Sequence, residues 1–339
     1  MKKTAIGRLI EIGILQGILV VALVLMFGLQ HGVGAELQSV KLTINLPLAN
    51  DWDMFAAVEK GFFAKEGLAL ENIYLTMPPD VVRFVVAGSA PLGTGGVHYS
   101  TTAQERGGKI RVVAGRVYSL LTDIVVRPEI KSLKDLKGKK ITTAGLSSIF
   151  THLFVEIMER NGVKKDEYQL LVVGTSHERF AAVKAGGAAA TMLTPPINFM
   201  ANDEGYPTLA QYSDVIKALQ FIGVFANTDF AKKSPDVVTR FVKALIQSQR
   251  WINNLANKEE AVKILMKHVP RTPEQIARRT YDYLVVRNRA FGGEGAIDPE
   301  GMKASIDILT KYGQLKDPKP WQEYADLTFY ERARKELGF

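Results

Sequence analysis

The 339-residue sequence predicts an α/β protein with parallel or mixed sheets and helices on both faces. Three observations lead there. Strand-like and helix-like segments alternate from about residue 40 to residue 226, the pattern of βα units that build such sheets. The last third carries helical periodicity almost alone, as terminal helices packed on a finished sheet would. The composition, 47% hydrophobic and 23% charged, is that of an ordinary globular chain with enough apolar residues for about two cores.

The elements follow in order. Residues 40–47 alternate apolar and polar side chains as a strand does. Residues 55–65 read as a helix closed near Gly67, and 70–76 as a strand. Pro79 opens a helix that runs through 87 and stops at Gly88. A short strand at 92–95 precedes a helix at 97–106, ended by Gly107-Gly108. Residues 111–114 and 122–127 are strands. Ser132-Leu133-Lys134-Asp135 is a variant of the capping box. A strand at 139–143 leads to a helix at 148–161 with Gly162 just past its end. Residues 169–173 (strand), 178–185 (helix), 190–193 (strand) and 221–226 (strand) complete the alternation. Ser234-Pro235 then starts a helix whose Val238, Phe241, Val242, Leu245, Ile246 and Ile252 form one apolar stripe. Asn257, Thr272 and Asp298 read as caps of three further helices. No internal repeat or low-complexity segment interrupts the chain.

The first 35 residues have the layout of an export signal. Lys2, Lys3 and Arg8 form a basic head, an apolar run spans 12–29, and Gly32-Val33-Gly34-Ala35 offers small residues for cleavage after Ala35. The alternative is an uncleaved anchor, because the run approaches the length of roughly 18 residues that favours a spanning helix and its basic flank lies on the inner side. Either reading exports the folded part. After residue 35 no apolar run is long enough to span a bilayer.

Charge and residue inventory remove several function classes. The formal net charge is +8; Lys2, Lys3, Arg8 and Glu11 leave the leader at +2, so the remaining 304 residues carry about +6. That excess is spread out, and its densest run, 131–140, contains Asp135 and reads as a solvated helix end. A nucleic-acid partner would call for clustered basic and stacking residues on one face, so none is expected. With no cysteine, lipid anchoring on cysteine, disulfides and thiol catalysis are excluded. His98, His152, His177 and His268 lie far apart and form no H-E-x-x-H; no metal and no cofactor are expected. No G-x-S-x-G elbow supports a serine hydrolase.

A series of phrases resembles the periplasmic substrate-binding proteins of ABC importers, in the nitrate/sulfonate/taurine and thiamine-pyrimidine-precursor branch. Ala56-Ala57-Val58-Glu59-Lys60-Gly61-Phe62-Phe63-Ala64-Lys65-Glu66-Gly67-Leu68 is similar to the family's first helix. Val86-Ala87-Gly88-Ser89-Ala90-Pro91-Leu92-Gly93 and 132–141 follow in the family's order. So do Asp166-Glu167-Tyr168, Ala185-Gly186, Pro195-Pro196, Ser234-Pro235-Asp236-Val237-Val238 and Ile297-Asp298-Pro299-Glu300-Gly301. Two departures stand out: relatives often have aspartate where this chain has Pro91 and Ala189, both expected at strand ends that approach the cleft.

The resemblance implies a type II periplasmic-binding-protein fold, with two α/β lobes joined by two crossover strands and a ligand cleft between them. Strands 122–127 and 221–226 are the crossover candidates. Residues 36–127 would then begin lobe 1, 128–218 would form the inserted lobe 2, and 219–339 would complete lobe 1 with the C-terminal helices. It also implies a monomer in the periplasm that binds a small organic molecule or oxyanion and delivers it to an ABC permease, without covalent chemistry. Two alternatives are an enzyme on the same fold acting on a pyrimidine-like heterocycle and a membrane-anchored sensing domain. A fungal pyrimidine synthase of this fold carries a cysteine-rich stretch with no counterpart here.

Ligands of open α/β sheets bind beyond the carboxyl ends of strands, near helix N-termini. That rule selects five loops: 47–53, 93–96, 115–118, 144–148 and 194–196. They supply Asn50, Trp52, Asp53, Thr94, Gly95, Tyr118, Ser147, Ser148 and Thr194 as candidate ligand-binding residues, with Arg116 a further candidate for a ligand anion. Ser147 and Ser148 precede a helix whose free N–H groups favour a polar or negative group; the alternative is an ordinary N-cap. Trp52 and Tyr118 are expected to wall the pocket or, in the case of Trp52, to cap the core. Asp53 is a candidate partner for a ligand N–H or a solvated acid. Thr94-Gly95-Gly96 offers backbone at close approach or forms a tight turn. If the leader is cleaved as read, N-terminal sequencing of the exported protein begins at Glu36; Met1 on membrane-bound protein would instead identify an anchor.

Overall fold

The alternation resolves into ten strands in the computed structural model, which describes residues 36–216 and 218–339. The leader lies outside the described residues. The strands are β1 (Gln38–Asn45), β2 (Leu68–Leu75), β3 (Leu92–Gly96), β4 (Ile110–Val117), β5 (Asp123–Val126), β6 (Lys140–Thr143), β7 (Gln169–Val172), β8 (Ala190–Leu193), β9 (Thr208–Gln211) and β10 (Ile222–Asn227). They form two sheets, ordered β2-β1-β3-β10-β4 and β7-β6-β8-β5-β9. The sheets repeat one plan. Three parallel strands come first (β2, β1, β3 and β7, β6, β8). An antiparallel strand follows, β10 in the first sheet and β5 in the second, and a last strand is antiparallel to it. β5, β8 and β10 are buried at every residue, which is why they read as short continuous apolar runs. The edge strands β2 and β7 are largely half-buried or exposed. β9, another edge strand, escaped the sequence reading because four residues of middling burial carry no alternation.

Helices cover both sheets: α1 (Trp52–Glu59), α2 (Phe62–Lys65), α3 (Pro78–Val86), α4 (Val97–Glu105), α5 (Ile149–Arg160), α6 (Ser176–Lys184), α7 (Ile197–Asp203), α8 (Thr228–Lys233), α9 (Pro235–Asn253), α10 (Lys258–His268), α11 (Glu274–Tyr281), α12 (Pro299–Lys311) and α13 (Thr328–Glu336). The helix expected over 55–65 starts three residues earlier and breaks at Gly61, whose φ of 67° is left-handed. The helix expected from 178 begins at Ser176. Thr175 accepts the Glu178 N–H (3.3 Å) and the Glu178 carboxylate accepts the Thr175 N–H (2.6 Å), a reciprocal cap. Of the three expected caps, Asp298 accepts the Glu300 N–H at 3.1 Å. Thr272 instead donates to the Val269 carbonyl (2.9 Å) and α11 starts after Pro273. Asn257 donates to the Trp251 carbonyl (2.8 Å) and braces the preceding helix rather than capping α10.

The stripe on α9 behaves as its spacing requires. All six of its expected apolar residues are fully buried, and α9 packs against α1, α2 and α13. Each such side chain contributes about 1.5–3 kcal/mol on burial, so this helix anchors the back of the first sheet.

The chain passes between the sheets twice, from β4 to β5 and from β9 to β10. Both passages are clamped by one segment near the C-terminus. The Tyr118 N–H donates to the Ala290 carbonyl (3.1 Å) and its hydroxyl to the Ala296 carbonyl (2.6 Å). Gln220, buried in the other passage, donates to the Ile222 carbonyl (3.0 Å) and accepts the Asp298 N–H (2.9 Å). Gly115 in β4 lies beneath this clamp and donates its N–H to the Gly295 carbonyl at 2.9 Å. A Cβ at Gly115 would overlap the Ala296 carbonyl oxygen, with the Tyr118 hydroxyl 2.8 Å away. Gly115→Ala should therefore lower the free energy of unfolding by about 1–3 kcal/mol, the usual cost of forcing extra volume into a packed site. A urea midpoint unchanged in this variant would show that the clamp yields without cost.

Candidate functional site

A cavity of about 220 Å³ lies where the carboxyl ends of the two sets of parallel strands face one another. From the first sheet it takes the loop after β1 (Asn45 to Leu48, Asn50, Asp51), the end of β3 (Thr94, Gly95, Gly96), and His98 and Tyr99 of α4. From the second it takes Ala144 and Ser148 after β6, the stretch Gly174 to His177 with Arg179 after β7, and Thr194 after β8. Phe150, Phe221 and Ile222 add apolar surface.

Five of the nine expected residues, Asn50, Thr94, Gly95, Ser148 and Thr194, line this one cavity. The other four do not. Trp52 falls inside α1 rather than in a loop, and none of its surface is exposed. Its indole N–H donates to the Ala261 carbonyl at 2.8 Å, and its ring meets Tyr281 edge-on at 5.6 Å. It caps the core, the second of its two sequence readings. Tyr118 serves the clamp on the crossing strands. Ser147 is exposed beside the cavity, whereas Ser148, one residue on, accepts the Phe150 N–H at 3.3 Å and caps α5. Asp53 is wholly buried and fully engaged by protein groups.

Arg116 explains Asp53. The Arg116 side chain has no exposed surface. Its Nη2 pairs with Asp53 Oδ1 and donates to the Asn50 carbonyl (3.2 Å), while Nε reaches Asp53 Oδ2 (3.2 Å). Its Nη1 donates to Thr94 Oγ1 (2.6 Å) and to Asp51 Oδ1 (3.2 Å). Gln249 of α9 completes the set, donating to Asp53 Oδ2 (3.0 Å) and to the Arg116 carbonyl (3.2 Å). Arg116 thus holds the first wall together and is not free for a ligand anion. It is shared between two carboxylates, so this wall carries one excess negative charge. Asp51 is the carboxylate of the pair that lines the cavity. Burial pushes its carboxyl up to about 6 and the neighbouring Asp53 adds to the rise, against the pull of Arg116.

The second wall has the opposite balance. α5 and α6 both begin at the cavity, and the unpaired N–H groups of helix first turns favour polar or negative groups. Arg179, in the first turn of α6, is 9% exposed. Its Nη1 donates to the Gly174 carbonyl (2.6 Å) and its Nη2 to Ser176 Oγ (2.9 Å). Its Nε has no partner among the described residues. Thr194 Oγ1 and His98 Nε2 are likewise buried without a hydrogen-bond partner among them. Burial drives the His98 imidazole down to about 3, so it is neutral at ordinary pH. The sequence reading missed Asp51, His98 and Arg179. The signal for Arg179 was present: Thr175-x-x-Glu178 is a capping box that starts α6 two residues earlier than periodicity does.

Pro91 and Ala189, expected where strands approach the cleft, sit at the opposite ends. Each immediately precedes the first residue of its strand, β3 or β8, whereas the cavity lies past the last residues. Their departure from aspartate therefore leaves the cavity lining untouched.

Comparison with known proteins agrees with this architecture. The family described as NMT1/THI5 like matches residues 50–261. A formylaminopyrimidine-binding protein of Halalkalibacterium halodurans is 22% identical over 281 residues, covering 78% of this chain and 82% of that protein. A 4-amino-5-hydroxymethyl-2-methylpyrimidine phosphate synthase of Saccharomyces cerevisiae is 23% identical over 243 residues, or 67% of this chain and 70% of that one. The periplasmic nitrate-binding protein of Synechocystis PCC 6803 superimposes with a TM-score of 0.71 at 16% identity, over 89% of this chain and 90% of that one. The two sheets therefore form a periplasmic-binding-protein fold.

Asp51 gives the first wall a measurable signature. Its carboxyl titrates near 6 in the folded chain against 3.8 ordinarily. Between those values the folded protein holds a proton that the unfolded chain releases, so the contribution of Asp51 to stability falls as pH rises from about 4 to about 6. Asp51→Asn removes that titration. The free energy of unfolding of the variant, relative to wild type, should therefore rise over the same interval. Urea titrations at both ends would detect it, and a difference independent of pH would show that Asp51 is solvated like an ordinary carboxylate.

Proposed function

The chain belongs to the NMT1/THI5-like family, and from that premise we propose that it is an extracytoplasmic solute-binding protein. It captures a small organic molecule or oxyanion and passes it to an ABC permease. The observation that carries this reading is the cavity itself. Two sheets contribute opposite walls, and Arg179, Thr194 and His98 of the lining each keep a buried polar atom without a hydrogen-bond partner among the described residues. Buried polar groups are normally hydrogen-bonded, and a ligand supplies the missing partners. At about 220 Å³ the space is below the range of drug-sized pockets, in keeping with a small solute. The names of similar proteins point the same way: one binds formylaminopyrimidine and another nitrate.

Capture works by closure of two lobes, so that the ligand completes contacts neither lobe makes alone. In this reading residues 36–127 and 219–339 make one lobe and 128–218 the other. The membership of β5 in the second sheet supports moving the first boundary to the passage before Asp123. The protein acts in the periplasm as a monomer, free after cleavage of its leader or held by it.

The yeast relatives named as pyrimidine phosphate synthases keep an enzymatic reading in view. One experiment separates the two. Protein purified from its native source is denatured, the released small molecules are identified, and each is added back during thermal unfolding. A true ligand at about 100 times its dissociation constant adds about 2.7 kcal/mol of stability and is recovered unchanged. Conversion of the recovered compound would establish an enzyme, and absence of any stabilising compound would refute binding.

A further inference from the structure

Arg179 lines the cavity as a cation that no carboxylate pairs with directly among the described residues; Glu178 acts on it only through space. The hydrogen-bond partners of Arg179 are all neutral: the Gly174 carbonyl, Ser176 Oγ and, at 3.4 Å, the Met192 carbonyl. The nearest acid in sequence, Glu178, is turned to Thr175, accepting its N–H at 2.6 Å and its hydroxyl at 3.0 Å. Burial lowers the Arg179 guanidinium to about 10, which leaves it cationic at neutral pH. Arg116 makes the contrast: with no exposed surface, it is held by two carboxylates. An isolated buried ion is costly unless a partner of opposite sign arrives, and guanidinium matches carboxylates and phosphates through paired N–H groups. The first turns of α5 and α6 open on the same wall, adding dipoles of the same sign. Asp51, Asn45 and Asn50 line the same cavity from the first sheet.

We propose that Arg179 determines specificity by seating an anionic group of the ligand, a carboxylate, sulfonate or phosphate ester, with the hydrogen-bond-donating end of the same molecule turned toward Asp51. This rests on the binding-protein reading and narrows it. The neutral heterocycle alone is not the preferred cargo; an anion-bearing solute is.

Three pairs of probes differing in charge, the last two also matched in shape, test the assignment on the full chain by calorimetry. They are 4-amino-5-hydroxymethyl-2-methylpyrimidine and its phosphate ester, benzamide and benzoate, and ethanesulfonamide and ethanesulfonate. The compound recovered from the native protein joins the panel. The expected result is that the recovered compound is an anion, and that any pair that binds favours its anionic member by about ten- to a hundredfold, the range for a hydrogen bond to a charged group. Arg179→Gln should erase that preference and Arg179→Lys should restore part of it. Should Arg179→Gln fail to fold, the wild-type ratios and the lysine variant still decide. A neutral recovered compound, a neutral probe bound as tightly as its anion, or an anion preference kept in Arg179→Gln overturns the proposal alone. If neither the panel nor any recovered compound binds, the binding-protein reading falls with it.

Discussion

A guanidinium with no surface in water organises the first wall of the cavity. Moving such an ion out of water costs several kcal/mol even after relaxation, and only close partners with good geometry offset that. Arg116 finds them in Asp53, Asp51, Thr94 Oγ1 and the Asn50 carbonyl. These partners come from β3, from the turn after β1 and from the first turn of α1. Gln249 ties the same cluster to α9 and accepts the Gly295 N–H at 2.8 Å. One ion network therefore sets the position of the loop after β1 and the end of β3. It also links them to the segment that clamps the crossing strands. What it leaves over is a carboxylate at Asp51 that is only half shared with its cation and that the proposed ligand would engage.

The second wall is built on a different principle. There the fold brings two helix first turns and one buried arginine to the carboxyl ends of β6, β7 and β8, and no acid pairs directly with that arginine among the described residues, Glu178 acting on it only through space. The two walls thus differ in sign because they come from different sheets, and the shared plan of those sheets makes their carboxyl ends face one another. Polarity across the cavity is a product of topology together with a few placed side chains. In the specificity proposed for Arg179, a solute with an acidic end and a donor end completes both walls.

Much of the fold was legible because its strongest signals are periodic. The alternation of strands and helices, the α9 stripe and the glycines after helices follow from spacing and backbone freedom alone. The misplacements have local causes. Gly61 can end one helix and start another, so a single apolar pattern over 55–65 conceals a break. The sequence places Trp52 in a loop because the helix start before Phe55 is marked by no side-chain cap. The cavity lining was legible where the rule about strand ends applied, at Asn50, Thr94, Gly95, Ser148 and Thr194. It was illegible where the outcome depends on pairing in three dimensions. Arg116 and Arg179 are both arginines near strand ends, and nothing in the linear chain says that one is met by Asp51 and Asp53 and the other by neutral groups. Pro91 and Ala189 teach the converse, since their apparent importance vanished once strand direction placed them at the far ends.

A crystal structure of the protein with a compound that stabilises it decides whether this cavity is the binding site. The compound should be enclosed between the two sheets, in contact with Asp51 or its loop on one side and Arg179 on the other, with both lobes drawn together around it. A stabilising compound found outside this cavity, with Arg179 still without a charged partner, would rule out the cavity as the site of capture.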